Sequence, residues 1–385
     1  MAAARTKPIQ AGVPTLRHMP QLDALRAFAV LAVVLHHNFG VSQGADLGVK
    51  LFFTLSGFLI TGLLLRSRDI AESAGLPRRH FLARFYARRV LRIFPLYYFV
   101  ISIAIIVNLE PVREISVWLF TYTINFRMAA QGWYEPNFAH FWSLAVEEQF
   151  YVFWPWVVML APRRALLPLT VLMISVAPAY RFWWVWSEYT NMSAVSAYIS
   201  TWSCLDSIGM GALLALFSTS YSHKIVHRGV YFGCLPLGVG FFASTAVLPV
   251  GWATVWSAVA QALLFCVLIH ATAAGVPGIG RRILEWRPIL YLGKISYGVY
   301  VYHPFTLGMS KALVAWAGMQ LVDQTWQLGV VSSAMTLLIA SVSWAVMERP
   351  LNDLKRYFQD VSTPAPVPAA AVPVSGWATS EPTRR

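Results

Sequence analysis

Ten apolar runs of bilayer-crossing length constrain this chain more than any other feature. They lie near residues 21–40, 48–65, 92–109, 140–161, 165–186, 200–218, 229–248, 252–273, 290–313 and 325–346. A helix of about 20 apolar residues, rising 1.5 Å each, crosses the hydrocarbon core and satisfies its own backbone hydrogen bonds there. The short alternating strands of a membrane barrel are not found. Only 12% of the residues are charged, about half the share of a soluble protein, and the mean hydropathy is +0.55. The expected fold is an all-α, polytopic transmembrane bundle of about ten spans.

Charge sets the orientation. The net charge of +13 would suit nucleic acid, but the basic residues gather in alternate loops, the positive-inside pattern. Residues 66–92 hold eight arginines; Arg163-Arg164, Lys224 with Arg228, Arg281-Arg282 with Arg287, and Lys355-Arg356 follow later even-numbered spans. The odd-numbered loops are poor in base. Both termini are therefore expected in the cytoplasm, with the lipid bilayer and not nucleic acid as the partner. The first run carries Asp23 and Arg26 and reads as a retained span, not a signal peptide. The expected organisation is a basic N-terminal segment (1–20), a transmembrane domain (21–350), and a Pro/Ala-rich, disordered cytoplasmic tail (351–385). "ISVWLFTYTINF" (115–126) is too short to span and reads as interfacial or re-entrant. Cys204, Cys234 and Cys266 have no metal-ligand or paired spacing and read as packing residues.

An ionisable group inside a span is costly and calls for a partner or a task. Arg26 and His37 are eleven apart, about 20° past three full helical turns, so they share one face and stand about 16 Å apart along the axis. Asp23, three residues before Arg26, lies on that face and is placed to pair with it. One reading makes Arg26 a snorkelling cation and His37 a partner for a backbone carbonyl. The other makes them part of a polar line along a cavity, a cation for an anionic ligand and a histidine for a proton.

Four further stretches bear on that choice. In "FYARRVLRIFPLYY" (85–98), Arg89 and Arg92 run straight into an apolar span, with forks suited to phosphate. "HFWSLAVEEQFYVFWPW" (140–156) carries Glu147 and Glu148, which line a polar interior or pair with an arginine such as Arg26 or Arg181. "LGKISYGVYVYHPF" (292–305) carries Ser296, Tyr300 and His303, and a helix break at Pro304 would leave carbonyls for His303 to satisfy. Ser56-Gly57 in "FFTLSGFLITGLLL" permits close helix approach, and no nucleophile elbow surrounds Ser56. No Walker loop, dinucleotide fingerprint or zinc spacing occurs, and no metal is expected.

Taken in order, these stretches resemble the motifs of the acyltransferase-3 family of integral-membrane O-acyltransferases. They are Arg26 with His37, "LFFTLSGFLI" (51–60), Arg89-x-x-Arg92, "FWSLAVEEQFY" (141–151), "ISYGVYVYHP" (295–304) and "MERP" (347–350), over roughly residues 20–350. The resemblance implies transfer of an acyl group, commonly acetyl, from cytoplasmic acyl-CoA to a hydroxyl, with acyl-CoA as substrate and no bound cofactor. Acceptors in the family include sugars of surface and exported glycans, Nod factors and macrolides. By analogy His37 is the base, Glu147 its orienting or acceptor-binding partner, and Arg26, Arg89 and Arg92 handle the donor. Asp23, Ser56, Glu148, Ser296 and His303 are secondary candidates. The expected location is the bacterial cytoplasmic (inner) membrane. Some relatives add a C-terminal periplasmic esterase-like domain, which is not expected here. Without the motifs, a transporter or flippase would rank first, but no matching halves are evident.

Overall fold

The computed structural model describes residues 19–186, 194–316, 318 and 326–358, and among these there is no β-strand. The first half comprises α1 (Pro20–Phe39), α2 (Gly44–Ala74), α3 (Arg78–Ile106), α4 (Val112–Phe120), α5 (Ile124–Gln131), α6 (Phe141–Leu160) and α7 (Arg163–Trp186). The second comprises α8 (Ala194–Ile199), α9 (Thr201–Ser220), α10 (His223–Gly229), α11 (Leu235–Ser244), α12 (Val250–Ala274), α13 (Gly278–Leu284), α14 (Arg287–Trp316), α15 (Trp326–Ser343) and α16 (Arg349–Asp353). Single π-turns at Val230–Cys234 and Trp344–Glu348 fuse α10 to α11 and α15 to α16.

Helix covers every one of the ten apolar runs, and the fold is an all-α polytopic bundle. Eight of the long helical segments are apolar enough to cross a membrane on length and composition alone. The two that are not, α6 and α14, carry Glu147 and Glu148, and Lys294, Ser296 and His303. Outward-facing side chains such as Phe153, Leu172, Phe232, Val247 and Leu338 are apolar and well exposed, a surface suited to lipid and not to water.

Glycine sets how closely α1 is gripped. A Cβ on Gly48 of α2 would lie 2.4 Å from the Ala29 carbonyl oxygen, and one on Gly293 of α14 would lie 2.0 Å from that of Asp23. The α2–α9 crossing is as close from both sides. A Cβ on Gly57 would meet Ile208 O at 1.9 Å, and one on Gly211 would meet Thr54 O at 1.9 Å. Without a hydrophobic driving force in lipid, such backbone approach supplies the packing.

Residues 66–92, grouped with the basic loops by their eight arginines, are helical apart from one short turn. Helix α2 runs on to Ala74 and α3 begins at Arg78, leaving a turn of three residues. Arg68 is buried, and its Nη1 donates to the carbonyls of Val158 (2.7 Å) and Ala161 (2.8 Å); Arg78 Nη1 donates to Met159 O (2.6 Å). Two arginines thus satisfy orphan carbonyls at the C-terminal end of α6, where the helix dipole also favours a cation. Arg163 binds Asp69 and Glu72 beside them. Arg181 pairs with Asp206, not with Glu147.

"ISVWLFTYTINF" folds as α4 and the start of α5, neither long enough to span. The α4 carbonyls at its end accept from Tyr97 OH (to Leu119, 2.9 Å) and Tyr98 OH (to Phe120, 3.1 Å). Pro304 does not break α14, contrary to expectation. It removes one N–H, which would have served the carbonyl of residue 300, and His303 Nδ1 donates to that carbonyl at 2.7 Å. Residues 351–358, assigned to the tail by composition, are helical through Asp353 and continue as a 3₁₀ turn that packs on α3. The rest of the tail, like the basic segment before residue 19, lies outside the described residues. Cys204 and Cys266 are buried and Cys234 is half-buried, all as free thiols.

Candidate active site

Two cavities enter the bundle from opposite ends and meet at Val49 and Tyr300, which line both. The one nearer the arginine-rich end is narrow, about 100 Å3, and is lined by Arg26, Ser56, Arg89, Arg92, Glu147, Glu148 and Ser296, among others. Its polar groups come from α1, α2, α3, α6 and α14, which is why no short stretch of sequence contains them. Asp23 Oδ1 accepts from Arg26 Nη1 at 2.6 Å, the predicted pair. The guanidinium of Arg89 lies 4.2 Å from the ring centre of Tyr151, a cation–π contact that fixes it at the wall. Ser56 Oγ donates to Glu147 Oε1 at 2.8 Å and accepts from Tyr151 OH at 2.9 Å. Ser56 is therefore a positioner of Glu147, while its neighbour Gly57 does the close packing. With Arg26 paired to Asp23, Arg89 and Arg92 face Glu147 and Glu148, and the low-dielectric wall strengthens the interactions among these charges.

The second cavity, about 580 Å3, falls in the ~300–1,000 Å3 range of small-molecule sites. His36, His37, Asp46, Tyr134, His140, Trp142 and Tyr198 line it. The helical face shared by Arg26 and His37 thus connects one cavity to the other, as the spacing of eleven predicts. His37 Nδ1 lies 3.0 Å from Val33 O. A carbonyl only accepts, so Nδ1 carries the hydrogen and Nε2 is left with a lone pair. The carbonyl bond and the cavity position are both present, and the first defines the proton-accepting nitrogen for the second.

His303 lies beside this site but lines neither cavity. Its ring centre is 4.9 Å from that of His37 and 5.4 Å from that of His140. With Nδ1 on Tyr300 O, its Nε2 is buried without a protein partner, as is Nδ1 of His140, whose Nε2 donates to Val301 O at 3.1 Å. At the entrance of α1, Gln21 Nε2 (3.0 Å) and then Arg281 hold the Glu285 carboxyl below the usual carboxylate range and fix the turn before α14.

Several residues in or beside the cavities were not found from the sequence. Asp46 accepts from Gln261 Nε2 at 2.6 Å across to α12. Lys50, one turn further along α2, is buried with its Nζ 5.3 Å from the Tyr198 ring centre and 4.0 Å from Cys204 Sγ. Both are charges in or beside an apolar run, the signal that picked out Arg26. Ser143, Trp142 and Tyr198 carry no such signal in a chain with 55 aromatic residues (23 Phe, 16 Trp and 16 Tyr).

The chain was compared with known proteins. YrhL of Bacillus subtilis strain 168 is 27% identical over 367 residues, covering 87% of this chain and 55% of that protein. The O-acetyltransferase OatA of Staphylococcus aureus strain NCTC 8325 is 26% identical over 366 residues, 87% of this chain and 57% of OatA. The peptidoglycan O-acetyltransferase OatA of Listeria monocytogenes strain EGD-e is 23% identical over 373 residues, 89% and 57%. The chain thus spans a little over half the length of these relatives. No solved structure matches it significantly. The acyltransferase-3 family, described as an acyltransferase domain, matches residues 19–346, nearly the whole described bundle and every motif but "MERP" (347–350), which follows directly, and the chain belongs to that family.

Proposed function

We propose that this multi-pass membrane protein moves a short acyl group, acetyl by analogy with the O-acetyltransferase relatives, from acyl-CoA to a hydroxyl of a cell-surface glycan. Peptidoglycan is the acceptor favoured by the relatives' names. One observation carries the reading: a cavity walled by Arg26, Arg89 and Arg92 meets a cavity holding the His37 imidazole, from the opposite end, at Val49 and Tyr300.

The positive-inside rule puts the arginine-rich end in the cytoplasm, where acyl-CoA is made. Its phosphates suit the guanidinium forks of Arg26, Arg89 and Arg92, which wall that cavity. The wider cavity offers carboxylate, imidazole and aromatic faces to a sugar. A hydroxyl bound to His37 Nε2 gives up its proton as its oxygen attacks the thioester carbon. The carbon–sulfur bond then breaks, and the proton passes to the leaving thiolate as free CoA is released. Transfer is direct, through a complex of both substrates.

The test is purified protein in nanodiscs with acetyl-CoA and soluble peptidoglycan fragments, reading free thiol and O-acetylated glycan by mass spectrometry. Acetylated glycan is the expected result. Product on a macrolide and on no glycan overturns the acceptor, and no product with any acyl-CoA overturns the reaction. Arg89→Ala and Arg92→Ala are each expected to raise the KM for acetyl-CoA about 10–100-fold, the worth of a hydrogen bond to a charged group at ~1.5–3 kcal/mol. An unchanged KM in both removes the arginines from donor binding.

A further inference from the structure

At the neck between the cavities, Ser143 Oγ, Tyr300 OH and the His140 carbonyl oxygen form a closed triangle. Ser143 Oγ lies 2.5 Å from Tyr300 OH, and each hydroxyl lies 3.1 Å from His140 O. Three contacts share two hydrogens, one on each hydroxyl, because the carbonyl supplies none. One contact is always unfilled. His140 is also the N-cap of α6, and the carbonyl of an N-cap residue already accepts the first bond of its helix. The Tyr300 proton can therefore turn away from His140 O without orphaning a buried acceptor, while Ser143 donates to Tyr300. A hydroxyl that itself accepts a hydrogen bond is a stronger donor.

Tyr300 lines both cavities, so it borders the place where a thioester from one side meets a hydroxyl from the other. Acyl transfer builds negative charge on the carbonyl oxygen, and a preorganised donor at that point is commonly the largest single contribution to rate. We propose that Tyr300, held by Ser143, is the oxyanion donor of the reaction. The inference rests on the acyl-transfer reading above. As the acceptor oxygen bonds to the thioester carbon, the carbonyl π pair moves to oxygen and accepts a hydrogen bond from Tyr300 OH. The acceptor's proton goes to His37 Nε2. The pair returns as the carbon–sulfur bond breaks, the proton goes to the thiolate, and Tyr300 turns back to His140 O. Ser143 is a positioning residue, acting through Tyr300.

Steady-state kinetics of Tyr300→Phe, Ser143→Ala and the double variant test this in nanodiscs with acetyl-CoA and glycan fragments. Tyr300→Phe is expected to lower kcat about 10²–10³-fold with the KM for acetyl-CoA little changed. Ser143→Ala is expected to cost less, and the double variant no more than Tyr300→Phe alone, because the serine has no effect once the phenol is gone. A folded Tyr300→Phe protein with wild-type kcat, or one whose loss lies wholly in KM, overturns the proposal. Should Tyr300→Phe not fold, 3-fluorotyrosine at position 300 keeps the shape and changes the acidity of the phenol. A kcat that moves with that acidity at constant KM supports the donor, and an unmoved kcat overturns it. A wild-type protein that releases no CoA and acylates nothing removes the acyl-transfer reading and this inference with it. An active wild type with an indifferent Tyr300→Phe removes this inference alone.

Discussion

His37→Ala is expected to lower turnover about 10²–10⁴-fold while leaving acyl-CoA affinity within a few-fold of the wild type. The size follows from the imidazole's task. The acceptor hydroxyl has a pKa far above neutral, and without a base its oxygen attacks only as the poor neutral nucleophile. The sparing of donor affinity follows from geometry, because Arg26, Arg89 and Arg92 wall one cavity and His37 the other. His37→Gln is the sharper variant. It keeps a polar side chain of similar reach but has no basic nitrogen, so it should be as inactive as the alanine form. Both are measured as initial rates of CoA release and glycan acetylation, beside thermal unfolding to establish that the bundle is intact. Folded variants with full turnover would end the general-base assignment and turn attention to His303 or His140.

Most of the fold was legible because membrane helices announce themselves by length and apolarity, which no tertiary detail overrides. The site was legible in part, and the dividing line is physical. A charge inside an apolar run is expensive, so Arg26, Arg92, Glu147 and Glu148 stood out, and all four line one cavity. Groups that cost little in lipid gave no signal: the hydroxyl of Ser143 is satisfied by that of Tyr300, and Trp142 and Tyr198 look like any packing aromatic. Arg68 and Arg78 misled for the opposite reason. Basic residues near a membrane surface are common, and only the structure places the end of α6 against them. Lys50 carried the right signal and was passed over.

The buried pair Arg181–Asp206 marks the second large effect, on stability and not on chemistry. Arg181 Nη2 meets Asp206 Oδ2 at 2.5 Å, its Nη1 donates to Ser203 O at 2.6 Å and its Nε donates to Val255 O at 3.1 Å. One guanidinium thus joins α7, α9 and α12, and the two side chains are 3% and 0% exposed. Asp206→Ala is expected to destabilise the bundle by about 3–5 kcal/mol, because the remaining guanidinium keeps its charge in a site without a counter-ion. Arg181→Leu should cost less, since an isolated carboxyl can take up a proton and become neutral. The pair Arg181→Met with Asp206→Leu should recover most of the loss, as an apolar replacement of both partners leaves nothing to desolvate. Thermal unfolding in one detergent orders the four proteins. An Asp206→Ala protein as stable as the wild type would mean that water or lipid headgroups reach the guanidinium. The folded fraction of each variant should bind acyl-CoA normally, because neither residue lines the cavities where transfer is proposed. The same chain therefore uses arginine in three ways: capping carbonyls at its basic end, neutralising one carboxylate in its core, and, at Arg26, Arg89 and Arg92, lining a cavity with guanidinium groups.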